Sequence, residues 1–363
     1  VKEFSLQAEP FNGTWIDCVC NNAISILMVN DRNFEYLPCL ANARYRLFSY
    51  GNCNESIEFP PGSSNIVTPL LDMVRTLDFS PYLDYETLTA DKNDPVHQII
   101  KDCLHRGFYI FVDVDRFYYP SGVDAGKNHL KHPAFIYGYN DGASAYLLME
   151  DCIQPSKMES YMLPYDRFDE AIAAAGSGAD SYYIVLVRSK DQEQQFFSSY
   201  TKDQMRGNLE FLLKEEQSPF IDHAISSADT GVTVSYGLPV IGHFAEMLEQ
   251  RLLAILRDDF EHRALAIKNP YYYRKSTIQL PFLLHRRNGL EERHFQSLTD
   301  EYKKLCNDWN LYGNTLIKYY YKLKYMKDLN WMAQGELDAL KRLLAKLYEK
   351  ERDLIDRTRT VLG

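Results

Sequence analysis

The stretch NHLKHPAFIYGYNDGASAYLLMEDC, residues 128–152, decides the fold of the first half of this chain. Two apolar runs rich in aromatic and β-branched residues, AFIYGY (134–139) and AYLLMED (145–151), flank YNDGAS, and Asn, Asp and Gly tolerate the positive φ of tight turns. The reading is a β-hairpin. FYIFVDV (108–114) and YYIVLV (182–187) have the same strand composition. Ahead of the first of these, DPVHQIIKDCLHRG predicts a helix with Asp94 as N-cap, Pro95 in the first turn and Gly107 as C-cap. Residues 1–190 therefore read as an α+β domain built on an antiparallel sheet.

Beyond the polar stretch SKDQEQQ (189–195) helical periodicity takes over and strand signals fade. In GELDALKRLLAKLYEKERDLIDRTRTVL the residues Leu337, Leu340, Leu344, Leu347 and Leu354 return at three- and four-residue steps, or multiples of them, forming one apolar stripe. An all-α helical domain is expected over residues 196–363. A chain of 363 residues exceeds what one hydrophobic core ordinarily serves, which agrees with two domains.

Composition narrows the functional classes. A net charge of -10 argues against general nucleic-acid binding, which needs a basic face. No run approaches the roughly 18 apolar residues of a membrane span, so no membrane partner is expected. The opening VKEFSLQAEPF lacks the basic end and apolar core of a secretory signal, which predicts a cytoplasmic protein. The 7 cysteines are an odd number scattered along a long chain, unlike a disulfide scaffold.

Two of those cysteines raise a chemical question. In FNGTWIDCVCNNAISILMVN (11–30), Cys18 and Cys20 open an apolar run of helical character. A helix N-terminus favours the thiolate through its unpaired N–H groups and macrodipole, whereas Asp17 alongside opposes it. A nucleophilic thiol also needs a base and a group that orients the base. His132 precedes one strand of the hairpin and Asp151 ends the other. In an antiparallel pair the start of one strand lies beside the end of the next, so the two side chains should be neighbours. His129 is the alternative base, and buried inert thiols are the alternative for Cys18 and Cys20. Cys-x-Cys and His129-x-x-His132 lack the ligand spacing of zinc modules. Asp113 and Asp115, at the end of a strand, read as solvated carboxylates.

These motifs resemble those of papain-like cysteine peptidases that remove double-glycine leader peptides. A cysteine opening a helix after Asp is followed by a histidine entering a strand six residues before a glycine (His132 to Gly138), then by an aspartate closing the next strand. That family carries a glutamine six residues before its cysteine as an oxyanion donor. Asn12 holds this place relative to Cys18, with a shorter side chain. The longer stretch IIKDCLHRGFYIFVDVDRFYYPSGVDAGKNHLKHPAFIYGYND resembles the N-terminal domain of the butirosin biosynthesis protein H family.

The resemblance implies a papain-like catalytic domain followed by a helical region. It implies a cysteine acyltransferase of natural-product biosynthesis, antibiotic and nonribosomal peptide pathways included, with Cys18, His132 and Asp151 as triad and Asn12 near the oxyanion. The donor would be an acyl or peptidyl carrier protein bearing a phosphopantetheine thioester, the acceptor an amine-bearing small molecule, and the enzyme itself would bind no cofactor. A thioesterase or peptidase with the same triad, or an inactive binding module, would share these motifs. YYYRKSTIQLPFLLHRRNG (271–289) sets Arg274, Lys275, Arg286 and Arg287 around apolar residues, and IKYYYKLKYMK (317–327) adds four lysines. A basic rim of this kind suits an acidic carrier protein, although Lys and Arg also snorkel from ordinary helical faces.

Overall fold

The structure is a computed structural model that describes residues 2–50, 72–176, 180–190, 196, 202–219, 232–246, 248, 283–285, 291–326 and 334–362. It divides into two compact units, Val1–Pro38 with Leu77–Tyr200 and Cys39–Thr76 with Thr201–Gly363.

The first unit is built on a seven-stranded antiparallel sheet. Its strands are β1 (Glu3–Ser5), β4 (Leu83–Asp91), β5 (Tyr109–Asp115), β6 (Lys131–Asn140), β7 (Ala145–Glu150), β8 (Glu159–Pro164) and β9 (Ser181–Ser189). They lie in the order β4-β9-β5-β6-β7-β8, with β1 also paired to β6. The expected hairpin is β6–β7, and Ala143 N donates to Asn140 Oδ1 at 2.9 Å across the turn. Nearly every residue of β5 is buried, as a central strand covered on both faces requires.

Helices α2 (Val96–His105) and α3 (Tyr165–Ala175) share one core with the sheet: Ile100 and Leu104 from the first and Phe168 and Ile172 from the second pack with Ile110, Val112, Ile136, Leu148 and Ile184. Each such side chain contributes about 1.5–3 kcal/mol on burial. The N-cap of α2 is Pro95, one residue later than the sequence suggests, because Asp94 accepts from Asp91 N at 2.8 Å instead. Gly107 follows the helix at φ 83°, the left-handed conformation that ends helices.

Helix α1 (Cys18–Met28) packs against β6 and β9. Two buried polar residues fix the chain that leads into it. Asn21 donates to the carbonyls of Phe11 (3.1 Å) and Thr14 (3.0 Å) and accepts from Ile16 N (3.0 Å), while Ser25 Oγ accepts from Phe11 N (3.1 Å). All of these groups would be costly to bury unpaired.

The second unit departs from the all-helical expectation. Besides α4 (Lys202–Leu213), α5 (Val240–Glu246), α6 (Glu292–Met326) and α7 (Gln334–Leu362), it holds a four-stranded antiparallel sheet. The strands are β2 (Asn42–Tyr50), β3 (Asp72–Thr76), β10 (Glu216–Pro219) and β11 (Val232–Tyr236), in the order β10-β11-β2-β3. Residues 39–76 thus group with this unit rather than with the first. β10 (EQSP) is four residues long and ends in Pro, and β11 (VTVSY) alternates apolar and polar residues but over only five positions, with its partner β2 far upstream. The C-terminal region is helical as expected, and the leucine stripe of α7 is buried throughout.

Gly138 is the point where β1 meets β6: a Cβ there would stand 2.6 Å from Phe4 O and 2.9 Å from Ser5 Cα, both backbone atoms. Gly138→Ala should therefore lower the free energy of unfolding by about 1–3 kcal/mol in a denaturant titration. An unchanged midpoint would mean that β1 does not hold its place against β6.

Candidate functional site

The antiparallel order β5-β6-β7 brings the end of β5, the start of β6 and the end of β7 to one end of the sheet, with Val114 opposite His132 and Phe135 opposite Met149. Asn22 Nδ2 donates to Met149 O at 3.4 Å, tying α1 to the same end. Cys18 is the first residue of α1 and a free thiol. Asp17 is the N-cap and accepts from Cys20 N at 2.7 Å.

His132 and Asp151 are neighbours, as the pairing logic requires, but they are not hydrogen-bonded: Nε2 lies 3.9 Å from Asp151 Oδ1. Nδ1 of the same ring lies 3.8 Å from Glu150 Oε2. Both carboxylates are engaged by Arg116, which follows β5 and is itself buried. Tyr119 OH donates to Glu150 Oε1 at 3.0 Å, and Ser156 N donates to Asp151 Oδ2 at 3.1 Å. Sequence reasoning missed Arg116, Tyr119 and Glu150. No local signal marks them, since acidic residues that close a strand ordinarily reach solvent.

The electrostatics follow from this enclosure. Burial, then the charges of Asp17, Asp151 and Glu150, push the Cys18 thiol up to about 12, with Arg116 opposing them. The carboxylates and burial oppose the thiolate-stabilising effect expected of the helix start. Burial, then the Arg116 charge, bring His132 down to about 4 against the pull of Asp151, Asp113 and Asp124. Burial raises Glu150 to about 7, with Arg116 and Tyr119 pulling the other way. At neutral pH Cys18 is thus a protonated thiol and His132 an uncharged imidazole.

Asn12 pairs with the backbone of Met158: its carbonyl accepts from Met158 N at 2.7 Å and its amide donates to Met158 O at 2.9 Å, which among the described residues leaves one N–H uncommitted. His129, the alternative base, forms a tighter pair than His132 does: Nδ1 is 2.7 Å from Asp115 Oδ2, and the ring stacks on Phe117 at 4.2 Å. Its side chain is 64% exposed, against 15% for His132. Asp115 is not the solvated carboxylate expected from sequence. It is buried and also accepts from Phe117 N and Leu130 N, organising the loop that joins β5 to β6. Burial raises its pKa, but the His129 and backbone hydrogen bonds outweigh that and leave it below the ordinary value.

The basic residues Arg274, Lys275, Arg286 and Arg287 lie outside the described residues. Among the described residues no group of three or more His, Cys, Asp or Glu is placed to hold a metal ion, and no helix is long and apolar enough to cross a membrane. Comparison with models of known protein families and with curated proteins finds no match to this chain.

A thiol at about 12 is almost wholly protonated at pH 7.5. Alkylation of Cys18 by iodoacetamide, followed by peptide mass spectrometry, should run roughly 10²-fold slower than for an ordinary thiol and rise about tenfold per pH unit. Asp17→Asn keeps a capping oxygen and removes a negative charge, so it should speed the reaction. A rate typical of a free cysteine at pH 7.5 would contradict this assignment.

Stability gives a second check. The folded-state pKa of His132 is depressed, so its contribution is present above the ordinary 6.5 and lost as pH falls towards 4. That of Glu150 is raised, so its contribution is present below 4.5 and lost as pH rises towards 7. The two nearly cancel between these limits. Unfolding of His132→Gln should accordingly show stability falling from pH 4.5 to 7, by up to about 3 kcal/mol relative to the wild-type profile.

Proposed function

We propose that the chain is a cysteine acyltransferase with a papain-like first unit, taking an acyl or peptidyl group from a carrier-protein phosphopantetheine thioester to an amine. The observation that carries this reading is the meeting of Cys18, at the first position of α1, and His132, at the start of β6, with one buried cluster, Arg116–Glu150–Asp151. The motif resemblance selects the thioester as substrate, since the same groups would serve an ester or a peptide.

In the first half-reaction Cys18 Sγ attacks the thioester carbonyl while His132 takes the thiol proton. The carbon–sulfur bond to pantetheine then breaks, and His132 returns the proton to the departing pantetheine thiolate. In the second, an amine attacks the acyl-cysteine, His132 takes the amine proton, and Cys18 leaves and recovers a proton from His132. A neutral imidazole is the form that this general-base role requires. Water in place of the amine would make the same site a thioesterase.

A second reading has its own support. A thiol held at about 12, with the Asn12 amide committed largely to Met158, suits an inert module that grips a carrier or peptide without chemistry.

Intact-protein mass after incubation with a panel of acyl-pantetheine thioesters separates these readings. The expected result is an adduct of one acyl group that Cys18→Ala abolishes and Cys20→Ala retains, and that added amines discharge faster than water does. No adduct with any donor would favour the inert module. Discharge indifferent to amines would favour the hydrolase.

A further inference from the structure

We propose that the chain forms a symmetric dimer through β4, the strands of two copies pairing antiparallel about a two-fold axis at Thr87 so that their sheets become one. The inference concerns the first unit alone and does not depend on the chemistry of Cys18.

The edge formed by β4 lacks the usual protection. Among the described strands β4 ends the sheet and pairs with β9 on one side only. Edge strands are ordinarily kept short, bulged, or marked by Lys or Pro, because a row of unpaired backbone groups is a template for another strand. β4 runs 9 residues, LDYETLTAD, in unbroken register with β9 and without Pro, Lys or bulge. The opposite edge, β8, has 6 residues and ends in Pro164.

Hydrogen bonds at the ends of the strand fix which backbone groups face outward. Lys190 N donates to Tyr82 O at 3.0 Å and Lys92 N donates to Asp180 O at 3.2 Å, so the even-numbered residues bond towards β9. The odd-numbered residues therefore point away from it. Two of these are already closed off: Leu83 N donates to Phe79 O at 2.9 Å, and Asp91 N donates to Asp94 Oδ2 at 2.8 Å. Tyr85, Thr87 and Thr89 remain, all exposed, and among the described residues nothing bonds their outward N–H and C=O groups.

An axis at Thr87 pairs all three. Thr87 then faces its own copy and Tyr85 faces Thr89 of the second copy, each pair exchanging both of its N–H···O bonds. The acidic side chains fall opposite neutral ones, Glu86 against Leu88 and Asp84 against Ala90, and each carboxylate already has an arginine, Arg106 and Arg188, at 3.6 Å. Moving the axis to Glu86 would set that carboxylate against itself. Moving it to Leu88 would leave Tyr85 facing Asp91, whose N–H is taken.

The side chains of the outward row agree. Tyr183 OH lies 3.4 Å from Thr87 Oγ1, which puts Tyr183 of β9 on the face that carries Tyr85, Thr87 and Thr89. Tyr85 and Tyr183 are 50% and 64% exposed, among the large apolar side chains most open to solvent. Thr89 is opposite Tyr183, so in the dimer it stands between Tyr183 and Tyr85 of the second copy. Tyr85 thereby gains a β-branched neighbour, a cross-strand contact that stabilises sheets.

Analytical ultracentrifugation of the chain under reducing conditions, over roughly 1–100 μM, should reveal a species of twice 42.2 kDa. Thr87→Pro should abolish it while far-UV circular dichroism and the thermal midpoint stay close to wild type, because the N–H it removes faces away from β9. Thr87→Lys and Thr87→Glu each set like charges across the axis and should weaken dimerisation about fivefold or more. Mixed in equal amounts they should restore it as a heterodimer, since residue 87 then meets residue 87 with opposite charge. A wild type that stays monomeric throughout would leave the edge to a strand of a different protein and overturns the proposal. So does a Thr87→Pro variant that dimerises as the wild type does, or a Lys and Glu mixture that associates no more tightly than either variant alone. If Thr87→Pro does not fold, the charge pair decides.

Discussion

The buried guanidinium of Arg116 is the constraint on which the site depends. A cation with its side chain 5% exposed is tolerated only beside compensating charge, and two carboxylates at the end of β7 supply it. Arg116 follows β5, and β5 and β7 flank β6 in the sheet. The ion pairs therefore bridge the start of β6, where His132 lies. Removal of one member of such a buried group leaves its partners uncompensated, at about 3–5 kcal/mol. The same arrangement sets the charge balance around the imidazole and the thiol, so one packing decision fixes both geometry and electrostatics.

That balance has a chemical meaning. A thiol raised to about 12 and an imidazole lowered to about 4 each favour the uncharged form, so a standing thiolate–imidazolium pair is not the resting state. Any nucleophilic attack by Cys18 must couple proton transfer to formation of the sulfur–carbon bond. The carboxylates that raise the thiol would also stabilise the imidazolium as it forms. Their effect is unfavourable in the free protein and favourable along the reaction coordinate, which is the sense in which catalysis uses differential stabilisation.

Local pattern made part of this legible. The hairpin turn, the neighbouring of His132 and Asp151, the opening of α1 at Cys18 and the leucine face of α7 each depend on periodicity or on antiparallel geometry within a short span. What stayed hidden depends on distant partners. Arg116 reads as an exposed residue after a strand until the end of β7 is placed beside it. Asp115 resembles a solvated carboxylate until His129 and two backbone N–H groups close over it. Asn21 and Ser25, polar residues on the buried side of α1, make sense only once the loop from Phe11 to Ile16 is laid against them. Strands β10 and β11 are hidden differently: β10 has no strand composition, and the alternation of β11 is a five-residue signal whose partner β2 lies far upstream.

The placement of β2 bears on how the chain is made. Val234 of β11 pairs with Phe48 of β2, so during synthesis at about 5–20 residues per second the edge of β2 waits roughly 10–40 s for its neighbour. A strand with an open edge over such an interval is prone to pair with other chains. Its sequence, NARYRLFSY, places arginines at 44 and 46 amid the aromatic residues. Charges at these positions discourage edge-to-edge association in the nascent chain. Once translation has passed residue 236, Arg44 acquires a different role: it pairs with Glu216 and lies 3.5 Å over the ring of Phe211 and 5.0 Å over that of Tyr236. A charge that opposes mispairing of an open strand edge is thus the same one that, in the folded chain, clasps the segments completing the sheet.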